Sequence, residues 1–475
     1  MKSILYKVIT ITLILCTFCS CRVSISDEYA KKIQAQAQAF NFADAAERIK
    51  SVTGVAMTEV FLESMGEEKA QGLISAIDGG TYTDRTWLEV TGYSYHVIND
   101  MLSGNINADN ISDFGFNGKD SFTVSFVGDI LFDPDFRPMV HANSMGGVLN
   151  CIDTATVEYL KSSDVFLINN EFTVGERGTP LQGKTWTFQA HPDRLDLFKQ
   201  MGVDIVSLAN NHVYDYGQVG FEDTIANLDK AGIPHIGAGM NLSEAARGHY
   251  FIVNGIKVGI VAASSAEKVY FTPVAEENKP GVMGTYDSTE FIKAIKAADA
   301  QCDVLVAYVH WGTENTTKLD AEQITMAREY IDAGVDAVIG GHPHCLQGMD
   351  FYKDVPIIYS VGNFWFNSKS LDSCVITLRI DNNIKTEALI VPLEQKGCET
   401  RLLVEESERR ALFDRVEGFE PQKVTIADDG LISPVIAGSC PFMFFHVNSA
   451  VGQKAYTFFR QQKTLHIVAA EGESL

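Results

Sequence analysis

The chain has 475 residues, of which 46% are hydrophobic and 21% charged, a composition typical of a folded globular protein with a substantial core. Its formal net charge of -23 argues against a nucleic-acid partner, because phosphate binding needs a basic stripe and no segment shows one. The same charge argues against unaided binding of a polyanion, and it is compatible with solubility in a salty extracellular setting.

Residues 1–21 have the pattern of an export signal. Lys2 and Lys7 precede an apolar stretch over 8–18, which is too short to span a bilayer as a stable helix. Small Ser20 then comes directly before Cys21, the residue that bacterial lipoprotein processing would acylate. We therefore predict an exported protein held at the cell membrane by a lipid on Cys21, with ordinary secretion as the alternative.

The next segment, 22–120, shows no set of residues that indicates catalysis or metal binding. Apolar residues recur at helical spacing from Asp27 to about Leu102, which predicts a helical N-terminal region. The stretch 103–120 is rich in Asn, Asp and Gly, and it reads as a linker. A new domain is therefore expected to begin at Ser121.

Short apolar runs alternate with helical patterns over 121–395. The runs are TVSFVGD, DVFLINNE, DIVSLANNH, KVGIVAASS, DVLVAYVHWG, DAVIGGHPH and PIIYSVGNF. Runs so short and continuously apolar are typical of strands covered on both faces, so we predict an α/β domain with a mixed or mainly parallel sheet. Two further strands joined at 381–383 read as a hairpin, and 396–475 as a C-terminal extension packing on this core.

Polar side chains collect at the carboxyl ends of these runs, the edge at which open α/β sheets bind ligands. In chain order they are Asp129, Asn170, Glu171, Asn210, Asn211, His212, His310, Glu314, His342 and His344. Imidazoles mixed with oxygen donors suit Zn, Mn or Fe, and a bridging carboxylate would allow two ions rather than one. Such a pair can activate a water and stabilise a transferring phosphoryl group.

Each of these residues also has an ordinary structural explanation. An Asp after a Gly, as at Asp129, is more often a turn residue or a helix cap, and the alternative for His310 is a hydrogen-bonded histidine of the core. The Asn210-Asn211-His212 run is harder to explain by packing. Since these explanations are largely independent, their coincidence at successive strand ends favours one shared metal site.

Seven blocks of the chain, in order, resemble the signature blocks of the CapA family, which is associated with poly-γ-glutamate capsule synthesis. They are GDILF, INNEF, KTWTFQAHP, LANNHVYDYG, VHWGTE, GGHPHCLQGMD and YSVGNFWF, and they extend from Ser121 to Phe366. That family in turn is similar to the calcineurin-like metallophosphoesterases. The resemblance implies an α/β fold of the metallophosphoesterase type, a four-layer α/β/β/α sandwich, here with an N-terminal helical extension.

The resemblance also implies roles for individual residues. The implied metal ligands are Asp129, Glu171, Asn211, His310, His342 and His344. His212 would lie beside the substrate as a proton donor, and Asp215 and Glu314 would support ligand imidazoles from a second layer. Arg177 and Lys184 are candidates for contacts to an anionic substrate, with solvent-exposed charges as the alternative.

Two positions depart from the phosphoesterase pattern. Leu131 stands where a His is common two residues after the first Asp, and Glu171 stands where the bridging residue is usually Asp. The first metal position is therefore weakened, empty or differently ligated. The resemblance alone therefore does not imply phosphatase activity.

Two functions are compatible with these features. The first is a metal-dependent hydrolase or transferase that acts outside the cell on an anionic polymer or phosphoester during capsule or envelope polymer synthesis, in company with the envelope capsule-synthesis machinery. The second is a non-catalytic, metal-containing module that binds or guides acidic polymer during export. Turnover that depends on the metal would distinguish them.

Overall fold

A computed structural model describes residues 40–267 and 269–435, together with the backbone of two further strands near the C-terminus. The chain divides into two compact units, Met1–Thr86 and Trp87–Leu475. The predicted export signal and the lipid anchor at Cys21 lie outside the described residues. No helix in the described part of the chain is both long and apolar enough to cross a membrane.

The first unit is helical where it is described, as predicted. Its helices are α1 (Phe42–Thr53), α2 (Glu59–Met65) and α3 (Glu67–Asp78), and α4 (Arg85–Thr91) begins at its end. Asn41 caps α1 by accepting the backbone N–H groups of Ala43 and Asp44. Apolar side chains at helical spacing form its core, among them Ile49, Leu62, Leu73 and Ile77.

The second unit contains two large sheets. The first sheet has seven strands in the order β1 (Ile111–Gly115), β9 (His249–Val253), β10 (Ile256–Ser264), β12 (Val304–His310), β13 (Ala337–Gly341), β15 (Val355–Ile358) and β14 (Met349–Tyr352). The second has eight, in the order β19 (Glu399–Leu402), β18 (Thr386–Lys396), β17 (Leu371–Asp381), β2 (Ser121–Ile130), β3 (Val165–Asn170), β6 (Ile205–Ser207) and β7 (His235–Ile236), with β16 (Asn363–Trp365) paired to β2.

Four small strand pairs complete the β-structure. They are β4 (Thr173–Val174) with β5 (Gln189–Ala190), β8 (Ala238–Gly239) with β11 (Gly281–Val282), β20 (Val424–Ile426) with β21 (Ile432–Pro434), and β22 (Tyr456–Gln461) with β23 (Thr464–Ala469). The helices of this unit are α5 (Tyr95–Ser103), α6 (Arg137–Met145), α7 (Thr154–Lys161), α8 (Leu195–Met201), α9 (Gly217–Ala231), α10 (Leu242–Ala245), α11 (Thr289–Asp299), α12 (Ala321–Asp332) and α13 (Glu406–Glu417).

Three apolar clusters show how these elements are layered. The central one lies between the sheets and joins side chains such as Phe126 of β2 to Val306 of β12. A second packs α7, α8 and α9 on the outer face of the second sheet. The third packs α11 and α12 on the outer face of the first sheet. The predicted four-layer α/β/β/α sandwich is confirmed, and its parallel strands are covered on both faces.

Four aspartates at the starts of strands share one role. Each carboxylate accepts the backbone N–H at the start of a neighbouring strand: Asp164 from Thr123, Asp204 from Phe166, Asp303 from Lys257, and Asp336 from Leu305, at 2.8–2.9 Å. These bonds satisfy edge groups that the ladder leaves unpaired. They lie at the amino ends of the strands, opposite the edge where the polar cluster was predicted.

The structure differs from the predicted linker over 103–120. That stretch contains β1, whose residues pair in parallel with β9, so the sheet begins before Ser121. The Asn, Asp and Gly content indicated turns on either side of the strand and hid the strand itself. The predicted hairpin is confirmed, since β17 and β18 pair antiparallel across the turn and extend the second sheet. In the C-terminal extension, Leu412 and Phe413 join the central core.

Candidate metal centre

Residues far apart in the chain meet at the carboxyl ends of the parallel strands. Asp129 lies near the end of β2 and Glu171 directly follows β3, both in the second sheet. His310 is the last residue of β12 in the first sheet. Asn211 and His212 lie in the loop after β6, and His342 and His344 lie in the loop after β13. All seven side chains are buried, with between 0% and 8% of each residue exposed.

The six predicted ligands form one continuous cluster. Nε2 of His310 lies 2.8 Å from Oδ1 of Asn211, 3.1 Å from Nδ1 of His342 and 3.6 Å from Oε1 of Glu171. Nδ1 of His344 lies 3.0 Å from Oδ2 of Asp129. The structure thus brings all six predicted ligand residues together.

The cluster contains two groups with metal-ligand geometry, and Glu171 belongs to both. One group is Glu171, His310 and His342, and the other is Asp129, Glu171 and His344. Within each group the possible ligand atoms all lie within 4.8 Å of one another. A carboxylate shared in this way is suited to bridge two cations, which is the arrangement of two-metal sites.

The hydrogen bonding within the cluster also fits a cation. Oε1 of Glu171 is buried and has no hydrogen-bond donor among the described residues. Oδ2 of Asp129 likewise accepts no hydrogen bond there, and its near neighbour is the imidazole of His344. A buried carboxylate oxygen without a donor is costly, and a bound cation would remove that cost. The residues present therefore fit one or two divalent metal ions.

Burial and mutual charge set the protonation states of these groups. Burial lowers the pKa of His310 to about 3 and that of His342 well below its ordinary value, so both imidazoles are neutral at pH 7, the form that binds metals. Burial, followed by the charge of Asp129, raises the pKa of Glu171 well above its usual range. Although burial opposes it, the neighbouring imidazole of His344 holds the pKa of Asp129 below its usual range.

Local backbone geometry explains the Gly and His pattern of two blocks. A Cβ on Gly128 would lie 1.7 Å from the carbonyl oxygen of Gly362, so only glycine allows the close approach that positions Asp129. His342 and His344 have φ angles of 94° and 56°, in the left-handed region that non-glycine residues rarely adopt. Such strain persists where the surroundings impose it, and here it directs both imidazoles into one cluster.

His212 is held by contacts on both sides of its ring. Its Nδ1 lies 2.7 Å from Oδ2 of Asp215, which also accepts the backbone N–H of Phe188 at 2.7 Å. The Phe188 ring lies 4.5 Å from the imidazole, centroid to centroid. Nε2 of His212 lies 3.9 Å from Oε1 of Glu171, so this nitrogen is directed at the cluster.

The remaining predicted residues have different surroundings. Lys184 is buried and forms ion pairs with Asp215 and Glu267, rather than presenting a free cation. Arg177 is paired with Asp223, and none of its described hydrogen bonds or ion pairs reaches the cluster. Glu314 is exposed, yet its charge acts on Glu171 and His344, which places it at the edge of the site.

Sequence reasoning missed two amides that organise the carboxylates and imidazoles. Nδ2 of Asn169 donates to Oδ1 of Asp129 at 2.7 Å and lies 3.3 Å from Nδ1 of His310. Oδ1 of Asn363 lies 2.8 Å from Nδ1 of His344. Asn169 lies at the end of β3, two residues before Glu171, and Asn363 lies at the start of β16. An amide interrupting an apolar strand was the signal available for both.

Known structures resemble the chain only in part. The protein TT1561 of Thermus thermophilus is 8% identical with a TM-score of 0.30, and the match covers 56% of this chain and 98% of that one. The 5'-nucleotidase of Candida albicans SC5314 is 9% identical with a TM-score of 0.31, and the match covers 57% of this chain and 51% of that one. TM-scores this low say nothing about the activity of this chain.

Relatives in sequence are more informative. The capsule biosynthesis protein CapA of Bacillus anthracis is 29% identical over 289 residues, 59% of this chain and 69% of that protein. The PGA biosynthesis protein CapA of Bacillus subtilis (strain 168) is 28% identical over 280 residues, 58% of this chain and 72% of that protein. A probable polyglutamine synthesis accessory protein of Mycobacterium tuberculosis (strain ATCC 25618 / H37Rv) is 32% identical over 211 residues, 42% of this chain and 55% of that protein.

The model of one protein family matches residues 123–368, which is more than half of the chain and includes every residue of the cluster. Its description is "Bacterial capsule synthesis protein PGA_cap". The predicted membership of the CapA family is thereby confirmed. The chain belongs to the PGA_cap family of bacterial capsule synthesis proteins.

Proposed function

We propose that the chain acts in capsule poly-γ-glutamate or envelope polymer synthesis as a metal-dependent hydrolase or transferase of an anionic substrate. Membership of a capsule synthesis family, and the names of the relatives in two Bacillus species, support the biological setting. The single observation that carries the chemistry is the buried cluster in which Glu171 is shared between two possible metal groups.

Charge is the reason to expect cations in the reaction. The chain has a formal net charge of -23, so an anionic substrate needs a local source of positive charge. Lys184 does not provide it freely, because its ammonium group is already paired with two carboxylates. Divalent metal ions held by the six ligand residues would supply Lewis-acid polarisation of a substrate oxygen and would stabilise developing negative charge.

The protein's own residues contribute orientation and proton transfer. Asp215 binds Nδ1 of His212 and leaves Nε2 facing the cluster. When both ring nitrogens carry a proton, Nε2 can give its proton to a leaving group. Phe188 and Phe366 cover the rings of His212 and His344 at 4.5 and 4.4 Å, and they limit the access of water. Asn169 holds Asp129 in place between the strands.

The test is an assay of the purified protein with chromogenic phosphate esters and with poly-γ-glutamate, each with and without added Mn²⁺ or Zn²⁺ and a chelator. We expect turnover that is lost with the chelator and in His342→Ala. His191→Ala is the matched control, because that imidazole is half exposed and pairs with Glu176 and Asp193 instead of the cluster. Absence of turnover by the metal-loaded protein on both substrates would contradict the hydrolase and favour a module that binds or guides acidic polymer.

We further propose that the protein is exported and anchored to the membrane by a lipid on Cys21. The supporting pattern is the charged start, the short apolar stretch and the cysteine that follows. Fractionation of cells producing the wild type and Cys21→Ser tests this. We expect wild-type protein in the membrane fraction with a lipid-modified N-terminus, and an unmodified protein in the variant. A wild-type protein released entirely without lipid would support ordinary secretion.

A further inference from the structure

Lys184 has an unusual environment for a lysine near a predicted substrate site. Its side chain is only 5% exposed. The ammonium group contacts Oδ1 of Asp215 at 2.8 Å, Oε2 of Glu267 at 2.5 Å and the backbone carbonyl oxygen of Asn211. The ammonium group is thus surrounded by three oxygen atoms, and its charge is already paired with two carboxylates. A role in direct binding of a substrate anion therefore does not fit.

The two carboxylates depend on this lysine. Oδ1 of Asp215 and Oε2 of Glu267 are both buried, and within the described chain each has Lys184 as its only polar partner. Asp215 is fully buried, so loss of the ammonium group would leave an uncompensated charge inside the protein. The other oxygen of Asp215, Oδ2, accepts from Phe188 and binds His212. Lys184 therefore holds in place the carboxylate that orients His212.

The contact with Asp215 sets the orientation of the His212 ring. A carboxylate can only accept, so it selects the imidazole tautomer with the proton on Nδ1. Nε2 is then the nitrogen that faces Glu171, at 3.9 Å.

We propose that Lys184 is a positioning residue for His212 and acts through Asp215. Glu267 pairs with the same ammonium group and thereby connects the loop after β10 to these residues. Thr272 of that loop also donates to the carbonyl oxygen of Asn211, at 3.0 Å. The proposal rests on the proposed function only where turnover is the readout. The geometry of the His212 ring provides a second readout that needs no substrate.

The chain offers a matched control. Lys257 is also a buried lysine, 2% exposed, with its ammonium group 2.5 Å from a carboxylate oxygen of Asp100. It lies near the start of β10, whereas the cluster lies at the carboxyl ends of the strands. Lys184→Met and Lys257→Met therefore both remove one buried ammonium group, and only the first removes the support of Asp215.

The experiment records the Nδ1 proton of His212 by NMR of protein containing isotope-labelled histidine, in metal-free and Zn²⁺-loaded samples, with the signal assigned by its absence in His212→Gln. We expect the strongly hydrogen-bonded signal in the wild type and in Lys257→Met, and its loss or a large upfield shift in Lys184→Met. An unchanged signal in Lys184→Met would overturn the proposal and make the lysine a structural ion pair.

Two additions keep the test decisive. If Lys184→Met does not fold, Lys184→Gln keeps an N–H donor group while removing the charge. We then expect an upfield shift of the His212 signal, and an unchanged position would again overturn the proposal. Where turnover is measurable, Lys184→Met should lower kcat about tenfold or more with KM within about twofold of wild type, because positioning acts on the reaction step. If no substrate is turned over, the proposed function fails while the NMR result still decides the role of Lys184.

Discussion

Replacing Glu171 with Gln should affect the metal-free and metal-loaded proteins differently. The substitution keeps the shape of the side chain and removes the negative charge that both metal groups share. In the metal-free protein this carboxyl group is buried, without a donor for Oε1, and its pKa is raised well above the ordinary value by burial and by Asp129. We therefore expect the metal-free free energy of unfolding of Glu171→Gln to be no lower than that of wild type at pH 8.

The metal-loaded protein should lose most of its added stability. A unit charge about 4 Å from a divalent cation interacts with it by about 8 kcal/mol at an effective dielectric constant of about 20. In the variant, the amide oxygen and water would replace most of this interaction energy. If only a third of it, about 2.7 kcal/mol, is lost, the metal binds about 100-fold more weakly. At a metal concentration about 100 times the wild-type Kd, the metal would stabilise wild type by about 2.7 kcal/mol and the variant by about 0.4 kcal/mol.

The assay is chemical denaturation of both proteins, with chelator and with a fixed excess of Mn²⁺ or Zn²⁺. Glu176→Gln is the control, since that carboxylate lies just after β4 but is 70% exposed and pairs with His191. A Glu171→Gln variant that gains as much stability from metal as wild type and the control do would refute the bridging role. A variant much less stable than wild type without metal would refute the account of its buried charge.

Three other substitutions test different parts of the structure. Gly128→Ala places a Cβ 1.7 Å from the carbonyl oxygen of Gly362. We expect denaturation to show a loss of several kcal/mol in the free energy of unfolding, and calorimetry to show weaker metal binding. Asn363→Ala removes the acceptor 2.8 Å from Nδ1 of His344 and should weaken one metal position about 10- to 100-fold, whereas calorimetry showing unchanged affinity would contradict that support. Burial raises the pKa of Asp204 to about 6 in the folded state, against about 4 in the unfolded state. Between these two pH values the folded state binds more protons than the unfolded state, so the contribution of Asp204 to the free energy of unfolding falls as pH rises from about 4 to about 6. Asp204→Asn keeps an acceptor for the N–H of the neighbouring strand. Its free energy of unfolding, relative to that of wild type, should rise by up to about 3 kcal/mol as pH rises across that range. Denaturation curves that show the same pH dependence for both proteins would contradict this.

The fold could be predicted to a large extent because its strands are covered on both faces. A strand such as β12 must then be continuously apolar, and this pattern is visible without knowledge of its neighbours. β1 shows the opposite case. It is a partly exposed edge strand in a stretch rich in turn residues, and its pairing with β9 depends on residues more than 130 positions away. The composition of residues 103–120 therefore does not indicate that this segment pairs with β9.

The candidate site could be predicted as a set of positions but not as a network. Parallel strands bring their carboxyl ends to one edge of a sheet, so the sequence predicts that Asp129 near the end of β2 and Glu171 after β3 lie close together. The surroundings of Lys184 could not be foreseen in the same way. Its burial depends on Glu267, which lies in a loop that carries no motif, and a lysine's surroundings are set by such tertiary contacts. The partner of Asn363 could not be predicted for a related reason, since His344 lies in a loop elsewhere in the chain.

The most direct test of the metal centre is an anomalous-difference map from a crystal of the protein loaded with Mn²⁺ or Zn²⁺. We expect one or two strong peaks within coordination distance of Glu171, with the imidazoles of His310, His342 and His344 around them. A metal-loaded crystal with no peak among these side chains, or with its peaks only elsewhere on the molecule, would contradict the account.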